Sequence, residues 1–367
     1  MKSNYKEIGE LIEKVDERNV DGSISTLVGV SIEKCFIKSV ANTIGTDLTK
    51  YKVIRRNEFA VSLMQVSRDE KIPVARLADY DSAIMSPAYP IFKVKDANVI
   101  LPEYLDMWFK RSEFDREASF IAVGGVRGSM PYEEFCRMKV LVPPIEKQRN
   151  IVKAYKTITD RIALKQRIND NLDEQLIAHF MLLIGQVDET EQLNNICRLV
   201  SEKATFGGLD NQIYVSTENI LPNKQGINYF GTTDKNDRIT PFQTGDVLIA
   251  NIRPYFKKIW QCNQSGACNA DVLCFRANDN KYKYVLKALL YQDTFYDYVM
   301  SGAKGTKMPR GDKEHIMKYT IPCISDVIIN KINIFAKKIE DIQLKNLSEI
   351  MLLSDMQNNL LSQLSSY

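Results

Sequence analysis

The sequence predicts an α+β protein with two mixed α/β domains, each followed by a long helix that pairs with the other helix. Three observations lead to this fold class: an internal repeat, two long helical stripes without Pro or Gly, and short strand-like runs before each stripe. A chain of 367 residues is also long enough for two or three domains.

The internal repeat consists of segments that recur in the same order in both halves of the chain, at a spacing of about 180 to 190 residues. The pairs are 8–12 with 196–200, 30–31 with 215–216, 57–61 with 245–249, 91–95 with 272–276, 104–114 with 284–295 and 124–131 with 302–309. One such pair could arise by chance. The ordered series indicates a duplicated unit.

A long helix is predicted at the end of each unit, after a strand-like run that closes on proline at 140–144 and at 319–322. Apolar residues then recur at steps of three and four, and neither 146–184 nor 325–367 contains Pro or Gly. Each helix can therefore run for about 40 residues, or about 60 Å. We place the domains at 1–144 and 186–324 and the helices at 145–185 and 325–367.

The segments between the predicted helices are typical of strands and turns. Strands are predicted at 53–54, 59–63, 91–94, 247–250 and 272–275. The segments 104–114 and 284–295 are amphipathic and predict helices.

Composition excludes several classes of protein. Hydrophobic residues at 44% and charged residues at 26% exclude disordered and fibrous chains. No apolar run approaches the roughly 20 residues of a membrane helix, and the first residues lack the apolar core of a signal peptide. The seven cysteines are scattered without a Cys-x-x-Cys pair, which favours reduced thiols. We expect a cytoplasmic protein with no membrane partner.

Motifs for metal binding and catalysis are weak. Cys262, Cys268 and Cys274 recur every six residues, which is not a common zinc spacing, and the chain has only two histidines. No phosphate-binding or dinucleotide-binding glycine motif is present. The segment 86–89 (Ser-Pro-Ala-Tyr) comes close to an amino-methyltransferase motif, but Ala88 breaks it, so a turn is the better interpretation. We expect no catalytic residues, no cofactor and no metal.

Two pairs of basic segments are the best candidates for a binding site. The paired loops carry Arg127 and Ser129 in the first unit, and Lys304, Lys307 and Arg310 in or just after the loop of the second. A second segment carries Arg253, Lys257 and Lys258 among aromatic residues, and its counterpart holds Arg68, Lys71 and Arg76. Cations near glycines and aromatics suit nucleic acid. The alternatives are glycine turns with solvated charges, and core aromatics beside surface lysines.

The junction before the first long helix, Pro143-Pro144-Ile145-Glu146-Lys147-Gln148, resembles the Pro-Pro-Leu-Glu-Glu-Gln junction of type I restriction-modification specificity (S) subunits. That family has the same order of domain, helix, domain and helix over the whole chain. The second junction, 321–326, departs from the pattern because it lacks the second Pro and the Glu-x-Gln.

The resemblance implies a DNA-reading subunit without chemistry of its own. Each domain would be a target recognition domain that reads one half of a bipartite site in double-stranded DNA. The helices would form an antiparallel coiled coil that sets the gap and binds two modification (methyltransferase) subunits, which bring S-adenosylmethionine. Restriction subunits with ATP-dependent translocase and nuclease activity would join this core. An adaptor with duplicated peptide-binding domains is the alternative, and the paired basic loops count against it.

Overall fold

The polypeptide forms two structural units, and each contains sheets, short helices and parts of both long helices. A computed structural model describes residues 4–39, 46–64, 66–123, 128–185, 187–205, 213–227 and 238–366. Unit 1 comprises Met1–Ala163 with Ile350–Tyr367, and unit 2 comprises Leu164–Glu349. The predicted fold class, a mixed helix and sheet protein with two paired long helices, is confirmed.

The secondary structure of the first half of the chain alternates short strands with short helices up to one long helix. The elements are β1 (Tyr5–Glu7), α1 (Ile8–Leu11), β2 (Ile12–Val15), β3 (Val28–Val30), β4 (Phe36–Lys38), β5 (Lys52–Arg55), β6 (Phe59–Val61), α2 (Val66–Asp69), β7 (Val74–Arg76), β8 (Ser82–Met85), β9 (Ile91–Val94), α3 (Pro102–Phe109), α4 (Ser112–Ile121), α5 (Tyr132–Arg137), β10 (Lys139–Leu141) and α6 (Ile145–Ile184).

The main sheet of unit 1 is antiparallel, in the order β2-β9-β6-β7. Side chains of a strand alternate between the two faces of the sheet. Phe59 and Val61 of β6 therefore enter the core beneath α3, α4 and α5, whereas Ala60 enters a smaller core on the other face. Phe59 stacks on Phe92 of the neighbouring strand, with ring centroids 5.2 Å apart.

The second half of the chain follows the same plan and ends in the second long helix. The elements are β11 (Thr190–Gln192), β12 (Cys197–Leu199), β13 (Ala204–Thr205), β14 (Ile213–Val215), β15 (Arg238–Phe242), β16 (Val247–Ala250), β17 (Ile259–Gln261), β18 (Gly266–Cys268), β19 (Val272–Ala277), α7 (Lys283–Leu290), α8 (Asp293–Ser301), α9 (Lys313–Met317), β20 (Thr320–Pro322) and α10 (Asp326–Ser362).

The main sheet of unit 2 repeats that of unit 1, in the order β12-β19-β16-β17. Val247 and Ile249 of β16 enter the core beneath the helices, and Leu248 enters a second core on the opposite face. A second sheet, β13-β15-β18-β14, is antiparallel except for the β14–β18 pair. Because equivalent strands occupy equivalent places in both main sheets, the internal duplication is confirmed.

The amphipathic segments 104–114 and 284–295, predicted to be helical, do fall on helices. Each spans two helices, because Arg111 (φ −70°, ψ 139°) and Gln292 (φ −74°, ψ 147°) have extended backbones that end the hydrogen-bonded helix. The apolar spacing runs through the break because both helices pack on one core, as the Phe109 and Phe114 rings show at 5.1 Å.

The long helices α6 and α10 contain 40 and 37 residues and pack against each other within each unit. In unit 1, the Gln357 amide donates to Thr159 Oγ1 at 2.8 Å. In unit 2, a polar cluster links the two helices at the level of Asn346, and His179 packs on Phe335 farther along. Later residues of α6 contact earlier residues of α10, so the two helices are antiparallel. No helix of the described chain is long and apolar enough to cross a membrane.

Gln148 explains the last position of the Pro-Pro-Ile-Glu-Lys-Gln junction. Its side chain is fully buried, and its Nε2 donates to the carbonyl oxygens of Pro143 and Val99 at 2.8 and 2.9 Å. Its Oε1 accepts from the Leu101 N–H at 2.9 Å. The second junction lacks this Gln, and Asn333 of α10 donates instead to the Lys281 carbonyl oxygen at 3.0 Å.

Candidate nucleic-acid interface

In unit 2, the loop that follows α8 is closed by a pair of backbone hydrogen bonds. The N–H of Lys304 donates to the Arg310 carbonyl and the N–H of Arg310 donates to the Lys304 carbonyl, both at 2.9 Å. The segment 305–309 therefore projects as a tight loop. Lys304, Lys307 and Arg310 are all exposed on it.

This loop packs against the connection between β16 and β17, which carries the second basic segment. The Arg253 N–H donates to the Pro309 carbonyl at 2.8 Å, and Ile252 forms an antiparallel bridge with Arg310. The two basic segments, far apart in sequence, are thus joined through their backbones. We call their cations the unit 2 basic surface, which consists of Arg253, Lys257, Lys258, Lys304, Lys307 and Arg310.

Most cations of the unit 2 basic surface have partners within the unit. Lys304 pairs with Asp312, and this hydrogen bond, helped by the His315 N–H, lowers the pKa of Asp312 to about 2. Arg310 pairs with Asp271 at 3.1 Å. Lys307 is exposed and has no ion pair among the residues that the structure describes, so its charge is readily available to an external anion.

The connection between β16 and β17 is also tied to the body of the unit. Lys257 pairs with Asp293 at 2.8 Å, and Lys258 Nζ donates to the Thr217 carbonyl oxygen at 2.7 Å. Burial lowers the pKa of Lys258. The Nε of Arg253 is buried and makes no hydrogen bond within the described chain. A buried donor without a partner calls for an explanation, and an acceptor from a ligand is one.

In unit 1, the equivalent loop meets the equivalent connection between β6 and β7. The Met130 N–H donates to the Leu63 carbonyl at 2.9 Å, and Gly128 lies against Ser67. Arg127 lies outside the described residues. Its neighbour Ser129 is half-buried on this loop, which adjoins the segment that carries Arg68.

The other basic residues that the sequence predicted for a unit 1 site lie in two places. Arg68 pairs with Asp69 at 2.8 Å, and Lys71 pairs with Glu33 at 3.3 Å, both on the connection beside the loop. Arg76 is different, because on β7 it lies opposite Phe59, at the end of the β6–β7 strand pair that is farther from the loop. The structure therefore groups Arg68, Lys71 and Ser129, which we call the unit 1 basic surface, and separates Arg76 from them.

The packing of the fold explains why two positions of the paired loops are glycines. A Cβ on Gly302 would lie 2.2 Å from the His315 ring, which is held by stacking on Tyr298 with centroids 4.1 Å apart. Gly128 has φ +71°, and a Cβ there would lie 2.4 Å from Ser67 Oγ. These glycines are needed for loop packing, whether or not a phosphate approaches them.

The three cysteines with six-residue spacing lie in the second core of unit 2. Cys262, Cys268 and Cys274 are buried there, and burial raises the pKa of all three, in Cys268 to about 12. A protonated thiol is a poor metal ligand. Within the described ranges, no three His, Cys, Asp or Glu side chains are placed to hold a metal ion. The segment 86–89 forms a turn, in which the Tyr89 N–H donates to the Ser86 carbonyl at 3.2 Å.

Sequence reasoning missed the turn at 222–226, which adjoins the unit 2 basic surface. Lys224 in this turn shares Asp293 with Lys257, at 2.7 and 2.8 Å. The sequence of this segment, Pro-Asn-Lys-Gln-Gly, is typical of a turn and could have predicted it. Its position beside Lys257 depends on the tertiary fold.

Known proteins resemble this chain in structure rather than in sequence. No protein-family model matches the sequence. No curated protein matches it. An S subunit of a type I restriction-modification system from M. genitalium is 12% identical, with a TM-score of 0.50, and the match covers 98% of this chain and 95% of that one.

Two further solved structures give weaker matches over similar lengths. A chain from a type I R-M system is 13% identical over 98% of this chain and 96% of that one, with a TM-score of 0.41. An HsdS subunit from Thermoanaerobacter tengcongensis is 13% identical over 98% of this chain and 95% of that one, with a TM-score of 0.37. On the M. genitalium match, the chain has, over almost its full length, the fold of a type I restriction-modification S subunit.

Proposed function

We propose that the chain is the DNA-binding specificity subunit of a type I restriction-modification complex. Residues 1–144 and 186–324 are its two target recognition domains, and each reads one half of a bipartite site. The helices at 145–185 and 325–367 set the gap between the half-sites. The complex works in the cytoplasm.

The observation that carries this function is the repeated meeting of two basic segments. In each unit, the connection after β6 or β16 packs against the loop after the helix pair, and this connection carries cations in both units. The described part of the loop adds cations in unit 2. Phosphate contacts supply affinity and position a protein on DNA, and neighbouring side chains read base edges. Two equivalent surfaces with different side chains suit two half-sites of different sequence.

The long helices present apolar side chains that the two units leave exposed. Exposed residues of this kind on α6 and α10 are Leu164, Met181, Leu182, Val327, Ile334, Ile342, Leu344, Leu347, Met351, Leu352 and Met356. Apolar surface of this extent on a helix pair suits partner subunits. We assign it to two modification subunits, with restriction subunits added to that core.

The chain contributes recognition, and its modification partners carry out methyl transfer. Incubation of the pure protein with duplex DNA and labelled S-adenosylmethionine should therefore transfer no methyl group. The same mixture with an added modification subunit is the positive control. Robust transfer by the chain alone would contradict the assignment.

The central experiment is selection of binding sites from a library of random DNA duplexes by the full-length chain. We expect one enriched motif with two defined half-sites, separated by an unspecified gap of constant length. A parallel selection from a random peptide library tests the adaptor alternative. Enrichment of peptides without any DNA motif would overturn the proposed function.

Light scattering of the complex with modification subunits tests the docking surface. We expect two modification subunits for each chain. Replacing Leu182 and Leu352 with Ser should weaken assembly, because both side chains are exposed on the helices. Val20→Ser, also exposed but in the region before β3, is the matched control. A stable one-to-one complex at high concentration would contradict the expected stoichiometry.

A further inference from the structure

Backbone strain in the described chain concentrates beside the unit 2 basic surface. Seven non-glycine residues of the described segments have a left-handed backbone, and four of them lie in two adjacent turns of unit 2. They are Asn223 (φ 55°), Lys224 (φ 63°), Arg253 (φ 53°) and Lys257 (φ 50°). Only Asn among these tolerates that conformation well. Such strain persists where the surrounding structure enforces it, and it is often found at functional sites.

Hydrogen bonds and ion pairs hold the two strained turns together. The Asn223 N–H donates to the Phe256 carbonyl at 2.8 Å, and the Lys224 N–H donates to the Lys257 carbonyl at 2.9 Å. Asp293 pairs with the side chains of both Lys224 and Lys257. The turn at 253–257 is therefore fixed on one side by a neighbouring turn and on the other by the loop at Pro309.

The strained turn holds two large aromatic side chains at the surface. Tyr255 is 46% exposed and Phe256 is 38% exposed, and their ring centroids lie 4.7 Å apart. A one-turn 3-10 helix, Pro254–Phe256, lies between the two left-handed residues and presents both rings. Phe256 has no hydrogen-bonding group in its side chain, so the pair offers a partner mainly ring faces and apolar volume.

Unit 1 also exposes large apolar side chains near its basic surface. Met64, 63% exposed, lies on the connection after β6, and Phe120, 81% exposed, lies near the end of α4. Helices α2 and α4 pack on each other at this point, beside the loop that contains Ser129. Apolar exposure next to a basic surface is thus a feature of both copies of the repeat.

We infer that Tyr255 and Phe256 form a wedge that enters the base stack of the second half-site at one base step. The inference rests on the proposed function. Cations around the turn attract the phosphates on either side, and aromatic or apolar side chains can insert between base pairs and unstack them. A preformed turn loses no further backbone freedom on binding. Pyrimidine–purine steps unstack most easily, so we expect the wedge at such a step.

The test uses the full-length chain and the duplex obtained by site selection. 2-Aminopurine, a base whose fluorescence rises when it is unstacked, replaces one base at a time across the second half-site and its flanks. We expect binding of the unchanged protein to raise fluorescence at a single step. This measurement requires no variant and so does not depend on how any substitution folds.

Variants then assign the unstacking to the aromatic pair. Tyr255→Ala with Phe256→Ala should remove the fluorescence rise and weaken binding by about 5- to 150-fold, with the salt dependence unchanged. The exchange Tyr255→Phe with Phe256→Tyr keeps both rings and should bind as the unchanged chain does. Tyr80→Ala, an exposed tyrosine of unit 1, is the matched control.

Several outcomes would overturn the inference. If the unchanged chain selects a bipartite site but shows no fluorescence rise, the wedge is wrong and the proposed function stands. A double variant that only lowers the salt dependence would assign the turn to phosphate contacts. Loss of modification-subunit binding with DNA binding intact would make the aromatic pair a protein contact. If the chain selects no DNA at all, the proposed function fails together with the wedge.

Discussion

Among the three exposed cations of the unit 2 basic surface, Lys304 and Arg310 form ion pairs, and Lys307 forms none within the described chain. We predict that Lys307→Ala weakens binding to the second half-site only. A phosphate contact would lower the salt slope by about one unit, whereas a base contact would cost about 1 to 3 kcal/mol at one position. Binding assays over a range of salt concentrations, on duplexes with single base changes, distinguish the two.

The paired loops supply the controls for this prediction. Arg127→Ala should affect the first half-site and leave the second intact, because the other domain reads it. Lys304→Ala should act on the second half-site, with a smaller effect than Lys307→Ala because Asp312 already pairs with Lys304. Loss confined to the opposite half-site would show that the domains have been assigned the wrong way round.

Glu340 of α10 provides a prediction on stability against pH. Burial alone would raise the pKa of this carboxyl, but hydrogen bonds from Lys283, Tyr284 and Lys337 lower it from 4.5 to about 2. A carboxyl whose pKa is lower in the folded than in the unfolded chain stabilises the folded state at pH values above its unfolded-state pKa. The contribution is therefore complete above about pH 4.5 and is lost as the pH falls towards 2.

Glu340→Gln should remove this pH-dependent contribution. We expect the variant to be less stable than the parent by about 1 kcal/mol at neutral pH, after allowance for solvent screening, and the difference to shrink below pH 4.5. Urea unfolding at several pH values measures it. Glu146→Gln, at an exposed position of α6, is the control. A difference that grows as the pH falls would refute the assigned sign.

At the scale of elements, the polar cluster between α6 and α10 fixes how the helices align. Asn346 is only 4% exposed, and its Nδ2 donates to Asn169 Oδ1 at 2.7 Å. Lys165 reaches both Asn346 at 3.0 Å and Glu349 at 2.9 Å. A buried polar residue in a helix pair costs stability and specifies alignment, as a single Asn does in coiled coils.

Asn346→Leu should therefore leave the chain as stable as before or more stable, within about 1 kcal/mol, while loosening the alignment of the helices. Thermal unfolding measures the first effect. Sequencing of selected or methylated sites measures the second, as a spread of gap lengths in place of one. Ser348→Leu, on the exposed side of the same helix, is the matched control. A single unchanged gap would show that other contacts set the alignment.

At the scale of the whole molecule, the helices are proposed to act as a ruler between two half-sites. Inserting one heptad after Gln166 and one after Leu347 keeps the apolar seam. The Lys165–Glu349 and Asn169–Asn346 pairs both survive, because the insertions fall between them. The helix pair lengthens by about 10 Å, which corresponds to about three base pairs.

We expect the variant to keep both half-site sequences and to require a gap longer by about three base pairs. Sequencing of methylated sites, from cells that also contain the modification subunit, checks this. A heptad inserted in α6 alone is the control, and it should impair assembly because the seams no longer match. Altered half-sites, or an unchanged gap with the double insertion, would show that the helices do not set the distance.

The amino-acid sequence by itself determined the features that depend on local pattern and on internal comparison. Apolar steps of three and four and the absence of Pro and Gly predicted α6 and α10 to within a few residues. The duplication emerged from ordered similarities, and the Pro-Pro junction carried the resemblance in fold. The strand predictions fall on β5, β6, β9, β16 and β19, although β6 ends at Val61 rather than at 63.

Only the tertiary structure decided which distant segments meet. It joined 253–258 to the loop at 304–310, brought the turn at 222–226 to Lys257, and removed Arg76 from the unit 1 basic surface. It also placed a break within each amphipathic segment, because packing of two helices on a shared core preserves the apolar spacing across the break. Periodicity is a property of neighbouring residues. A binding surface depends on contacts between residues far apart in sequence, and those contacts form only when the sheets and helices pack.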